Sequence, residues 1–134
     1  MSFIEGIFQR DICNLHSAEK LIYQTIKETS IKGPYGLLLK SMIALSDVYH
    51  QKHILTGNNI YLDNMESILN QADEIGYRNP IFPTILFIKV YKAILASSKR
   101  QWDLVDNILQ EIFQYISDQS KLSLKESILS IAEQ

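Results

Sequence analysis

Apolar residues recur along this chain at three-, four- and seven-residue steps, the spacing of one face of an α-helix, and no segment alternates in the two-residue rhythm of a strand. The breaks fall where Gly, Pro, Asn and Ser gather. Ile4, Phe8, Ile12, Leu15, Ile22 and Ile26 predict a first helix from a Ser2 cap to about Thr29, divided at Gly6 or near Ser17. Ser30-Ile31-Lys32-Gly33-Pro34 ends it, because glycine accepts a left-handed cap and proline disfavours helix in the residue before it.

A second helix is expected from about Tyr35 to Leu55, with Leu38, Met42, Leu45 and Tyr49 on one stripe and Leu39 and Ile43 widening it. After Thr56-Gly57-Asn58-Asn59, Asn59 caps a third helix that turns Leu62, Met65, Leu69, Ala72 and Ile75 inward and stops at Gly76. Pro83 suits the first turn of a fourth helix running to about Ser98, which is apolar on most faces and is expected to be central and largely buried. A fifth, from about Gln101 to Ser117, has Trp102, Val105, Leu109, Ile112 and Ile116 as its inner face. Ser123-Leu124-Lys125-Glu126 matches a capping box and predicts the start of a short terminal helix. The expectation is an all-α single domain over residues 1–134, of five to six helices packed as antiparallel hairpins, stacked like a helical repeat or closed into an irregular bundle.

The two central hairpins follow one plan: a long apolar helix after a proline, a polar turn, then an amphipathic helix. Leu39-Lys40-Ser41-Met42-Ile43-Ala44-Leu45-Ser46 occupies the first unit much as Ile88-Lys89-Val90-Tyr91-Lys92-Ala93-Ile94-Leu95 occupies the second, and the units start near Tyr35 and Phe82. Over residues 35–118 the chain resembles the tetratricopeptide-like α-hairpin proteins, with Trp102 and Val105 near the aromatic and small positions of that family's second helix, although the repeat is longer than theirs. That resemblance implies stacked hairpins and a protein-binding surface. Separately, Phe8-Gln9-Arg10-Asp11-Ile12-Cys13-Asn14-Leu15-His16-Ser17-Ala18-Glu19-Lys20 resembles the opening helix of ferritin-like stress bundle proteins, which implies an iron-binding bundle.

Composition narrows the function classes. Of 134 residues 46% are hydrophobic and 21% charged, ordinary values for a chain that folds unaided. Thirteen basic against fifteen acidic residues give a net charge of −2 with the cations scattered, which disfavours nucleic-acid binding. Cys13 is the single cysteine, so no internal disulfide forms; with no signal-like N-terminus, a cytoplasmic location is expected. Ile81 to Ala96, the most apolar stretch, is interrupted by Lys89 and Lys92, and no membrane partner is expected.

Asp47, His50 and His53 step by three along one side of the second helix, and His16 and Glu19 do so on the first; two imidazoles with carboxylates are ligands for zinc or iron. The spacing matches no established metal motif, and the bland reading is a solvated helix edge, so no metal or other cofactor is assigned. Cys13 near His16 has the parts of an activated thiol but more often such a cysteine simply packs, and no phosphate loop or nucleophile elbow occurs. The chain therefore does not read as an enzyme.

Lys89 and Lys92, with Lys99 and Arg100 beyond, are placed to form a basic strip for an acidic partner, and Tyr23, Tyr61 and Tyr115 fall at the margins of apolar stripes, where tyrosine serves binding surfaces. A helix-turn-helix over residues 117–133 would offer phosphates only Lys125 on its recognition helix. The expected function is a non-catalytic protein-protein interaction module, an adaptor or assembly factor that docks a protein partner or a second copy of itself. The alternatives are a small ferritin-like or histidine-ligated metal-binding bundle and, third, a helical DNA-binding regulator.

Overall fold

The computed structural model describes residues 2–11, 14–78 and 84–132. These residues form six α-helices and no strand: α1 (Ser2–Asp11), α2 (Leu15–Lys32), α3 (Tyr35–Thr56), α4 (Ile60–Arg78), α5 (Thr84–Ser98) and α6 (Trp102–Ala132). Each packs antiparallel to its sequence neighbour. α3 also lies against α5 and touches α1, whereas α6 packs on α5 alone. No described helix is long and apolar enough to cross a membrane.

Most breaks have local causes. Gly57, at φ +69°, caps α3 in the left-handed region that a side chain would disfavour, and its N–H bonds to the carbonyl of His53 at 2.7 Å. Gly33, at φ +70°, ends α2 and donates to the Thr29 carbonyl at 2.8 Å. The expected first helix is two helices, and the second begins at Leu15, near Ser17 and not at Gly6. Asn14 caps α2, its side-chain oxygen facing the Ser17 N–H at 3.5 Å, while Gly6 is buried inside α1. There the missing side chain serves close approach, since a Cβ at Gly6 would fall 2.6 Å from Cγ1 of Ile22.

Two other boundaries move. α4 passes through Gly76 to Arg78, and Gly76 is buried against α5, where an added Cβ would meet Cδ1 of Ile88 at 3.3 Å. The expected fifth and terminal helices are one helix, α6, and Ser123 lies inside it. No glycine or proline separates residue 117 from residue 123, and a serine with a glutamate three residues on does not by itself stop a helix. The Pro83 expectation and the readings of Ile12 and Cys13 fall outside the described residues.

The core runs along the chain and thins toward its C-terminal end. Its largest cluster joins Leu15, Ala18, Ile22 and Ile26 of α2 to Leu38, Leu39, Met42, Ala44, Leu45 and Val48 of α3, and reaches Ile68 and Ala72 of α4 and Ile88 of α5. A second holds Leu62, Met65, Leu69 and Leu95, and the third only Ala96, Ile108 and Ile112. The central helix is thus α3 and not, as expected, the more apolar α5, whose Phe87 is exposed. α3 tolerates burial on nearly every side because its inward serines bond to their own helix: Ser41 Oγ donates to the Leu37 carbonyl at 2.7 Å and Ser46 Oγ to that of Ile43 at 2.6 Å.

Candidate interaction surface

Two features are singled out by their apolar surface: a groove lined by α3, α5 and α6, and the distal half of α6. The groove, about 500 Å³ and open to solvent, is lined by His50 of α3, Val90, Ala93, Ile94 and Ser97 of α5, and Leu109 and Ile112 of α6. The short side chains of Ala93 and Ser97, one turn apart, leave its space. Among the described residues His50 is its one ionisable lining group. Burial lowers the pKa of His50, Asp47 opposes this, and the neighbouring His53 adds to it.

Beside the groove, Asp47 ties three helices together. Its carboxylate accepts from Gln51 Nε2 at 2.8 Å, faces the Tyr91 hydroxyl of α5, and lies 3.6 Å from Arg10 of α1. Burial first, and then the Asp47 carboxylate, raises the Tyr91 pKa. A second junction joins α2 to α3. Glu19 pairs with Lys52 and faces the Tyr49 hydroxyl, whose pKa burial and that carboxylate push up to about 12. Lys52 also sits 5.5 Å above the Tyr61 ring.

The residues singled out for metal binding are therefore dispersed or engaged. Glu19 and Asp47 belong to these junctions, His53 Nδ1 is 3.1 Å from the Asn58 carbonyl, His16 is exposed, and His50 lines the groove. Among the described residues no three His, Cys, Asp or Glu side chains gather so as to hold a metal ion. The segment 8–20 is shared between α1 and α2 and is not one opening helix.

The interaction residues are also scattered. Lys89 and Lys92 reach different neighbours, Glu111 of α6 at 3.4 Å and Asp73 of α4 at 2.6 Å, and Lys99 meets Glu66 at 2.5 Å. Each of these cations has an acidic partner, so the strip presents little net positive charge. Tyr23 is exposed on α2 with Lys27 near its ring, Tyr61 is half-buried beneath Lys52, and Tyr115 is half-buried on α6. Trp102, expected inside, is 59% exposed. It opens α6 where α5 ends, and the buried side of α6 is carried by Ile108 and Ile112.

What the pattern of short predicted helices hid is the length of α6. Its 31 residues span about 46 Å against about 22 Å for the 15 of α5. Beyond Ile112 no described residue of α6 is buried, and every one from Ser120 to Ala132 is exposed, including Leu122, Leu124, Ile128, Leu129 and Ile131. Compared with known proteins, the chain matches no family model, no curated protein and no solved structure.

Proposed function

We propose that this chain is a non-catalytic helical interaction module, an adaptor or assembly factor, that docks its protein partner along the distal half of α6. One observation carries the reading: a helix turns large apolar side chains to water over four turns where nothing else in the described chain covers them. Contiguous exposed apolar surface of this extent is characteristic of protein contacts. The pairing of α1/α2, α3/α4 and α5/α6, with α3 against α5, supports a helical-repeat-like stack in which α6 packs on α5.

Native mass spectrometry of the untagged protein from the lysate of its own cells tests this. The expected result is a metal-free assembly with another protein or a second copy that the Leu124→Asp/Ile128→Asp variant no longer forms. A monomeric species carrying a stoichiometric metal that His50→Ala and His53→Ala remove would overturn it.

A further inference from the structure

Resting on that reading, we infer that the occupant of the α6 face is a second copy of this chain, bound antiparallel about a twofold axis near residue 122. Phe113, Ile116, Ser120, Leu124, Ile128 and Ile131 follow one another at steps of three, four, four, four and three, and form one stripe along the helix. That series reads the same from either end. A twofold axis at its midpoint sets Phe113 against Ile131 of the other copy, Ile116 against Ile128, and Ser120 against Leu124, so the stripe meets its own complement. A twofold interface requires that reciprocity.

The surface and its chemistry agree. The five large residues are exposed by 68, 41, 62, 57 and 71% respectively, on the order of 600 Å² of apolar area per copy, against the ~800 Å² per partner of a standard interface. No charged residue lies in the stripe, and serines 120, 123 and 127 leave a shallow groove beside Ile116 and Leu124 that accepts the larger side chains of a facing helix. Five serines between 117 and 130 give this segment modest intrinsic helix propensity, so a covering partner also stabilises it as a helix. Because α5 supports only the first part of α6, antiparallel overlap puts the two bodies at opposite ends of the helix pair, without a clash.

Sedimentation of the full chain at about 50 μM is expected to give a dimer, with a micromolar Kd for an interface this size. Leu124→Asp/Ile128→Asp is expected to be monomeric, at least about tenfold weaker, with the thermal unfolding of the body unchanged. Register is read by cross-linking in a Cys13→Ser background with oxidised glutathione. Phe113→Cys chains mixed with Ile131→Cys chains form a disulfide, while either alone does not, because its two thiols would stand about 27 Å apart along the pair. A monomeric wild type, a dimer that survives the double substitution, or linkage of Phe113→Cys chains to themselves would overturn the antiparallel dimer. The docking reading fails separately, when the wild type's assemblies in native mass spectrometry all persist in the double variant.

Discussion

Ile88 offers the sharpest test of the packing. It is 1% exposed at the point where α5 meets α3 and α4, in the cluster that also holds residues of α2, with its Cδ1 beside Gly76. Ile88→Ala removes buried methyl and methylene groups that neighbouring helices cannot fully fill, a loss of about 2–5 kcal/mol. Ile88→Asp adds the desolvation of a carboxylate set among apolar side chains, so the side chain is driven to take up a proton and the total loss is larger. A chain of this length has a stability on the order of 10 kcal/mol, so the alanine variant should fold with a lowered urea midpoint and the aspartate variant should be largely unfolded at room temperature. Lys40→Asp, on the exposed side of α3, is the control, with an expected change within about 0.5 kcal/mol. Helical circular dichroism followed through a urea titration reads all three. Midpoints for Ile88→Asp and Lys40→Asp that coincide would refute the placement of Ile88 in the core.

Three further expectations follow from the junctions. Lys52→Asp sets a carboxylate beside Glu19 and removes the cation over Tyr61; urea midpoints should show a loss of about 1–3 kcal/mol, partly restored by adding Glu19→Lys. Gly6→Ala forces α1 off Ile22 and should lower the thermal midpoint, at a cost of about 1–3 kcal/mol, more than the same substitution costs at solvent-exposed helix positions. His50, whose folded pKa lies below its ordinary 6.5, binds a proton more readily in the unfolded chain, so its contribution to stability falls as pH drops through 6.5 toward the folded value. Urea midpoints at about pH 7.5 and 5.5 should accordingly differ less in His50→Gln than in the wild type.

Much of this was readable in residue order where a break has a local chemical cause. α3 begins and ends within a residue of its expected limits because Gly33-Pro34 and Gly57 act through their own backbone preferences. The ranking of burial was not readable, because it depends on neighbours. Ser41 and Ser46 lower the apparent hydrophobicity of α3, yet their hydroxyls are satisfied within the helix and the helix occupies the centre. α5 looks more central from composition and turns Phe87 to solvent. The capping-box pattern at Ser123 misled for a related reason, since capping also needs the chain to leave helical geometry, and nothing between 117 and 123 makes it do so. Asp47, read as a ligand for its spacing from His50, instead joins Arg10, Gln51 and Tyr91, and two of those three lie on other helices.

The cluster around α3 is complete with residues of α2, α4 and α5, and includes none from α6. Among the described residues, the packing that holds α6 to the body uses only Ala96, Ile108 and Ile112 as buried residues, and ends more than four turns before the helix does. Buried packing is therefore densest around α3, while the unbroken exposed run from Ser120 to Ala132 lies in the distal half of α6, where local opening costs least. A substitution such as Leu124→Asp falls on a side chain that the folded monomer does not use, so it can abolish docking without weakening the core. Ile112→Ala, by contrast, should loosen the whole of α6 and impair docking only by displacing the helix that carries the face, and those two kinds of loss are separable by comparing unfolding with association in the same variants.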